Sequence, residues 1–235
     1  MVSVAGAPGV TTLVSAIAGV AGEDHALLVI EAPPSGGTMA SRWRLDVRDT
    51  VTTTAKLAMD LASPTDLWDV AHHPWLGASR VIPAHPSAVV MRQAQAGEWL
   101  ATHMPAVSRP TLIDAGRVDG SSDQLILLES VETVWLVVDP IIEQVTAARA
   151  ATTWLNRTGR VEVLVREQAG DPARDSASAV AATLGWPVVA TIPNDSASAR
   201  ALCGLSPPRR NLARSPLLRT GRALAEQLTA TEVPA

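Results

Sequence analysis

The chain has 235 residues, of which 47% are hydrophobic and 18% charged, and its formal net charge is −4. This composition can support a full apolar core, which argues against intrinsic disorder, and the negative charge gives no general attraction to nucleic acid. The apolar runs are strand-sized, well short of the roughly 20 residues that cross a bilayer. Met1 leads directly into a glycine-containing loop without a cleavable apolar segment, and the single cysteine, Cys203, suits a reducing compartment. We therefore expect a cytoplasmic protein.

Short β-type runs alternate with longer helical stretches along the chain. Most of the predicted strands are apolar throughout, as expected for strands that helices cover on both faces. This alternation predicts a doubly wound α/β fold with a mainly parallel sheet and helices on both faces. The predicted strands are Val2–Val4, Leu27–Ile30, Arg80–Ala84, Thr111–Ile113, Val134–Val138, Val161–Val165 and Val188–Ile192. The predicted helices are Thr11–Val20, Ser87–His103, Ser121–Leu128, Ile141–Leu155, Arg174–Leu184, Ser196–Leu202 and Ser215–Leu228.

No repeat or linker divides the chain, so we expect one domain over residues 1–235. The least regular stretch, residues 44–79, is interrupted by Pro64 and Gly77 and predicts one or two helices plus loops. It is our candidate for a partner-facing surface. Residues 229–235 are expected to form a frayed tail.

Two further features concern surfaces. Most of the seven tryptophans are expected to fill the core, but Trp43, Trp68 and Trp75 have polar neighbours and are candidates for an interface anchor. The last predicted helix is amphipathic, with apolar residues at 217, 218, 224, 225 and 228. Its polar face lacks the strong basic charge of a membrane-binding helix, which favours packing against the domain.

The loop after the first strand has the form of a phosphate-binding loop. Glycines in such a loop let backbone N–H groups converge on an anion, and the following helix contributes its positive amino end. A hydroxyl at the position of Thr11 would bind Mg²⁺. The usual pattern places a lysine just before that hydroxyl, where this chain has Val10. The candidate nucleotide-binding residues of this loop are Gly6, Ala7, Pro8, Gly9, Val10, Thr11 and Thr12.

Four other segments, in the expected order, resemble signatures of the ParA/MinD family of deviant P-loop ATPases. Residues 28–38 resemble the second strand and switch I, and residues 112–116 resemble the strand that ends in an aspartate beside the magnesium site. Residues 190–195 resemble the strand-Pro-x-Asp step whose backbone borders the adenine, and residues 211–217 resemble the closing segment of many MinD-like proteins. The resemblance implies Pro193 and Asp195 as further nucleotide contacts, and Thr11 with Asp114 as the Mg²⁺ site.

The chain departs from this family at the charged positions. The two loop lysines of the family correspond to Ala5 and Val10, and the catalytic aspartate of switch I would lie near Pro33. Glu31 is the nearest carboxylate, so Glu31 and Asp114 remain only as remnant candidates and we assign no catalytic residue. The adenine-reading asparagine has Arg166 or Glu167 near its place. With eighteen arginines and one lysine in the chain, an arginine could compensate, and Arg117 is the first candidate.

These departures favour a catalytically degenerate protein that positions a partner machine, in partition, division, pilus assembly or secretion, through a homodimer or a heterodimer with a paralogue. No cofactor is expected, and any binding of ATP with Mg²⁺ would be weak. The alternative is an active ATPase in which arginine replaces the lysines. A third interpretation is non-specific DNA binding by the basic cluster at residues 209–222, which the negative net charge disfavours. Membrane binding is disfavoured as well, because the last predicted helix lacks a strongly basic face.

Overall fold

The computed structural model describes residues 1–6, 8–45, 52–60, 66–74, 77–104, 107, 109–167, 177–208 and 210–230. The strands are β1 (Val2–Ser3), β2 (Leu28–Glu31), β3 (Arg80–Ile82), β4 (Thr111–Asp114), β5 (Gly116–Arg117), β6 (Thr133–Val138), β7 (Arg160–Arg166) and β8 (Val188–Ile192). The helices are α1 (Val10–Val20), α2 (Met39–Arg42), α3 (Thr54–Met59), α4 (Leu67–Val70), α5 (Ala88–Ala94), α6 (Ala96–His103), α7 (Ser122–Glu129), α8 (Ile142–Leu155), α9 (Ala177–Leu184), α10 (Ser196–Leu202) and α11 (Pro216–Ala230). Two 3-10 turns, Glu23–His25 and Leu212–Arg214, complete the set within these ranges.

The strands form parallel sheets in the order β3-β2-β4 and β5-β1-β6-β7-β8. The two sheets meet at Ala115, which separates β4 from β5 and whose N–H donates to the carbonyl of Met1 at 3.1 Å. Because all pairings between these strands are parallel, their carboxyl ends lie at one edge, where β1, β2 and β5 lead into the loops of the candidate site. The predicted doubly wound α/β fold is confirmed.

Each inner strand contributes side chains to two hydrophobic cores, since alternate side chains point to opposite faces of the sheet. In β6, Val134, Leu136 and Val138 join one apolar cluster, whereas Trp135 and Val137 join the other. The first cluster lies against α3 and α5 to α9, and the second lies against α1, α10 and α11. The apolar strands thus have helices on both faces, as the pattern predicted.

One predicted helix proves to be two. The stretch 87–103 is broken at Gln95, which adopts a left-handed conformation with φ 48°, so α5 ends at Ala94 and α6 begins at Ala96. The break is associated with a close contact to α7: a Cβ on Gly97 would lie 2.6 Å from the carbonyl oxygen of Asp123. The Asp123 carboxylate also accepts the N–H of Glu98 at 3.1 Å and so caps α6 from a distance.

The predictions for the three tryptophans and for the stretch 44–79 compare differently with the structure. Trp43 is a core residue rather than an interface anchor: it is 4% exposed, and its indole N–H donates to Ser15. Trp68 is half-buried beneath the guanidinium groups of Arg80 and Arg109, and Trp75 lies outside the described residues. Of the stretch 44–79 the structure describes α3 and α4 with their flanking residues, whereas 46–51, 61–65, 75 and 76 lie outside it.

The last helix packs against the domain, as expected. The leucines at 217, 218 and 224 and Ala225 are buried, and Gly221 meets the backbone of α1 at Ala16. Helix α11 continues through Thr229 and Ala230, and residues 231–235 lie outside the described part. Within the described chain, no helix combines the length and the apolar character needed to cross a membrane.

Candidate functional site

The loop after β1 turns sharply into α1 through two glycines. Gly6 and Gly9 adopt left-handed conformations, with φ of 63° and 92°, which glycine reaches without steric cost. At Gly6 a side chain would also collide with Gln144 of α8, whose amide nitrogen lies 2.4 Å from the position of a Cβ. Gly9 is the N-cap of α1, and no side chain caps this helix end. The amino end of α1 is therefore available to an anion.

A cleft of about 900 Å³ lies over this helix end. It is lined by the predicted loop residues Gly6, Pro8, Gly9, Val10, Thr11 and Thr12, by residues of the segments 33–38 and 116–124, and by Ser3, Glu31, Arg42 and Arg92. The structure thus brings together the loop, the segment after β2 and the segment after β4 as the sequence predicted. Ala7, the remaining loop candidate, lies outside the described residues.

Three arginines border the cleft. Arg117 is the residue proposed from the sequence, whereas Arg42 of α2 and Arg92 of α5 were not anticipated, because both lie outside the segments that resemble family signatures. Arg42 donates to the Thr12 hydroxyl at 3.3 Å and to the Cys203 sulfur at 3.2 Å. None of the three forms an ion pair with a carboxylate among the described residues.

Glu31 is held as a structural acceptor at the end of β2. Its Oε1 accepts the N–H of Thr38 at 2.6 Å and that of Met39 at 3.0 Å, and its Oε2 accepts the N–H of Ala84 at 3.0 Å. Burial raises the pKa of Glu31 to about 7, and these N–H bonds oppose the rise. The carboxylate connects β2 to the start of α2 and to the residues after β3, so it is not free to position a water molecule.

Asp114 is fully buried at the end of β4. Its Oδ1 accepts the N–H of Gly116 at 2.9 Å, whereas its Oδ2 has no hydrogen-bond partner. Burial raises the pKa of Asp114, and the neighbouring Thr11 hydroxyl and Met1 ammonium oppose this rise. An orphaned carboxylate oxygen beside a threonine suits a hydrated Mg²⁺, so these two residues fit the ion. No cluster of three or more His, Cys, Asp or Glu side chains that could hold a metal occurs in the described ranges.

The two residues proposed as nucleoside contacts are not part of the cleft lining. Among the residues that the structure describes, neither Pro193 nor Asp195 lines the cleft, and Asp195 caps α10 by accepting the N–H of Ser198 at 3.1 Å. Arg166, near the expected place of the adenine-reading asparagine, forms a two-pronged ion pair with Asp139 at 2.5 and 3.1 Å. No sequence pattern indicated this pair, because its members are 27 residues apart.

The sheet order, the glycine loop before α1 and the cleft at the carboxyl edge define the P-loop nucleoside triphosphatase class of fold. More particularly, it is the fold of MinD and ParA ATPases. MinD of Pyrococcus horikoshii, complexed with Mg-ADP, superimposes with a TM-score of 0.77 at 17% identity, covering 100% of this chain and 97% of that one. A ParA family ATPase of Chlorobium tepidum gives 0.73 at 15%, covering 95% and 96%. The MinC:MinD cell division complex of Aquifex aeolicus gives 0.72 at 14%, covering 100% and 96%.

These structural similarities confirm, at the level of the fold, the ParA/MinD resemblance that the sequence showed. Identities of 14–17% establish a shared fold but not a shared activity. No protein-family model matches the sequence, and a search of curated proteins gives no significant match.

Proposed function

We propose that this protein is a catalytically inactive ParA/MinD-like positioning module, which acts by binding a protein partner and does not hydrolyse ATP. The observation that supports this most directly is the state of the acidic and basic groups at the cleft. The loop supplies no lysine, and Glu31, the carboxylate nearest to the switch I position, is engaged by three backbone N–H groups.

The missing lysines are costly in energy. A lysine about 3 Å from a phosphate oxygen is worth roughly 5 kcal/mol at an effective dielectric of about 20. Removing one member of such a pair costs about 2–5 kcal/mol, or roughly one and a half to three and a half decades in affinity. Ala5 and Val10 contribute no charge, so any ATP binding rests on the helix end and on arginines from outside the loop.

Hydrolysis needs more than binding, since phosphoryl transfer depends almost entirely on positioned charge. The side chain of Pro33 has no group that could hold the attacking water, and Glu31 would have to release its backbone donors to do so. The cleft therefore retains the shape of a nucleotide site while lacking the means of turnover.

A positioning role is supported by what the fold does in other proteins. MinD is a cell division protein that has been observed in complex with MinC, and the ParA family protein of Chlorobium tepidum is an ATPase. In this chain the partner-binding dimer would use the face that carries the loop at 5–12 and the segments after Glu31 and Asp114.

The decisive assay is phosphate release by the purified protein with ATP and Mg²⁺. We expect turnover below about 0.01 s⁻¹, the order of rate at which a slow P-loop enzyme with its own arginine works. The rival function, an ATPase with arginine in place of lysine, draws support from Arg42, Arg92 and Arg117 around the cleft. It predicts faster turnover that Thr11→Ala abolishes, and that result would refute the proposal.

Dimerisation is tested by light scattering over a range of protein concentrations. We expect a dimer that Ser35→Arg, on the exposed segment after β2, converts to a monomer. Thr183→Arg, on the exposed side of α9, is the matched control and should leave the dimer intact. A wild-type protein that stays monomeric at every concentration contradicts this part of the proposal.

A further inference from the structure

The sheet has a gap at its amino-terminal edge, on the side of the fold opposite the cleft. Strand β1 separates β6 from β4 and β5, but it consists of Val2 and Ser3 and pairs with β6 at one position, Val2 with Leu136. Strands β4 and β6 begin nearer to this edge, at Thr111 and Thr133. Two strands that flank a third are roughly 10 Å apart. The first residues of β4 and β6 therefore face each other across the width of one strand.

A cavity of about 310 Å³ occupies this gap. We call it the strand slot, and two of its walls are residues 111–113 of β4 and residues 133–135 of β6. Leu127 and Leu128 of α7 line it on one face of the sheet, and Leu228 of α11 lines it on the other. A volume of about 300 Å³ is at the lower end of the range for binding sites. The slot is thus an apolar site between the two helical layers.

The backbone of β4 presents hydrogen-bonding groups to the slot. The carbonyl of Pro110 accepts the N–H of Leu28 at 3.0 Å, so the even-numbered residues of this segment direct their backbone groups to β2. Thr111 and Ile113 therefore direct theirs to the slot. As this direction requires, the Ile113 carbonyl accepts a hydrogen bond from the amino group of Met1 at 2.6 Å. In the described chain, β1 does not extend alongside the earlier groups of this wall.

Strand β6 presents the matching groups from the opposite wall. The carbonyl of Glu132 accepts the N–H of Arg160 at 3.1 Å, so the even-numbered residues face β7, and Thr133 and Trp135 face the slot. Both walls therefore offer backbone donors and acceptors with the even spacing of a parallel ladder. Backbone groups need hydrogen-bond partners when they are buried. This pattern fits the backbone of an extended peptide better than it fits a purely apolar molecule.

The slot also has a carboxylate at its lining. Glu132 lines the slot and is exposed, and the ion pairs of the neighbouring described residues join other groups, Glu129 to Arg157 and Glu162 to Arg160. A strand that runs parallel to β6 begins at the same edge as β6. A basic side chain at the amino end of such a strand would therefore lie close to the Glu132 carboxylate and complement its charge.

We propose that the strand slot binds an extended segment of a partner protein, which adds a parallel strand between β4 and β6 through two or three apolar residues that follow a basic residue. Main-chain hydrogen bonds provide the affinity in this mode of binding, and alternate side chains provide the specificity. Both faces of the segment are apolar, because leucines of α7 and α11 cover the two faces of the slot. The inference rests on the proposed function for the existence of a protein partner, and it gives that partner a binding site away from the cleft.

The test is a binding titration of the purified full-length chain with a fluorescently labelled peptide, Lys-Val-Ile-Val-Gly, followed by anisotropy. We expect a dissociation constant on the order of 100 μM, since so short a segment buries little surface. The control peptide carries N-methyl groups on the first valine and the isoleucine, so it keeps the side chains but loses two main-chain donors. It should bind at least about tenfold more weakly. Equal binding of the two peptides would mean that the slot accepts any apolar molecule and would overturn strand addition, as would no binding of the first peptide at millimolar concentration.

A charge exchange locates the basic residue of the segment. Wild type should prefer the lysine peptide to the same peptide with glutamate in place of lysine by about threefold, the size of an exposed ion pair. Glu132→Lys should reverse this preference. Glu143→Lys, at an exposed position near the start of α8 and at the other edge of the sheet, is the matched control and should leave the preference unchanged. Thermal unfolding shows that both variants are folded, and an unchanged preference in folded Glu132→Lys contradicts the assignment of a basic residue to the partner.

The two proposals fail separately. A protein that hydrolyses ATP rapidly but distinguishes the two peptides refutes the inactive module and leaves the strand slot. A protein that neither hydrolyses ATP nor binds the lysine peptide refutes the strand slot and leaves the positioning module.

Discussion

Replacing Glu31 with alanine tests the structural role of its carboxylate. Glu31 is 1% exposed, and the change leaves the N–H groups of Met39 and Ala84 without their acceptor in the interior and that of Thr38 without its acceptor at the edge of the cleft. Each buried donor left unsatisfied costs about 1–3 kcal/mol, and the removal of a buried carboxylate returns part of that cost. We expect a net loss of about 3–5 kcal/mol in the free energy of unfolding.

The loss is measured by urea denaturation followed by tryptophan fluorescence. In a thermal scan it corresponds to a fall of roughly 6–20 °C, since about 1 kcal/mol shifts the midpoint by roughly 2–4 °C in a protein of this size. Glu226→Ala on the exposed face of α11 is the control and should stay within about 0.5 kcal/mol of wild type. A loss below about 1 kcal/mol in Glu31→Ala would show that the three donors find other partners.

The pH dependence of the same residue gives an independent check. Burial raises the pKa of Glu31 from 4.5 to about 7, so the folded protein holds this proton more tightly than the unfolded chain does. Below pH 4.5 the bound proton stabilises the folded protein by about 3 kcal/mol, and this stabilisation is lost as the pH rises from 4.5 to about 7. The stability difference between wild type and Glu31→Gln should fall by that amount over this window. A difference that is constant with pH would mean that folding does not raise the pKa of Glu31 above its ordinary value.

Two pairs of glycine substitutions test the close contacts of α1 and its loop, each by thermal unfolding. Gly6→Ala should destabilise the fold more than Gly185→Ala, because both positions have positive φ but only Gly6 has a side chain, Gln144, at 2.4 Å from the added Cβ. Equal losses would mean that Gln144 moves away without cost. Gly221→Ala should cost about 1–3 kcal/mol, because its Cβ would lie 2.8 Å from a backbone oxygen of α1. Gly22→Ala, with open space around it, should have almost no effect, and equal behaviour of these two variants would contradict the α1–α11 packing.

Much of the fold could be predicted because the local signals agree with the tertiary arrangement. Most of the strands are apolar on both faces, so seven of the eight, their order along the chain and their parallel pairing followed from the sequence, whereas the two-residue β5 was not predicted. The prediction of one helix over 87–103 was wrong because the break depends on a distant residue. Gln95 takes a conformation unusual for its type where α6 meets Asp123 of α7, and propensity alone favours an unbroken helix there.

The candidate site, like the fold, could be predicted only in part from the sequence. The loop glycines, Thr11 and the missing lysines at positions 5 and 10 are adjacent in sequence, so they could be recognised together. Pro193 and Asp195 were assigned by resemblance, and neither lines the cleft, so their role stays a prediction.

The sequence by itself determined the doubly wound α/β architecture, the turn that exposes the amino end of α1 and the absence of lysine from the loop. Only the tertiary structure decided which groups surround that helix end. Arg42 and Arg92 follow the loop by 30 residues or more along the chain, and they reach the cleft because parallel strands bring their carboxyl ends to one edge. The engagement of Glu31 is likewise set by backbone groups after β3, because hydrogen bonds between distant segments depend on packing that local sequence does not encode.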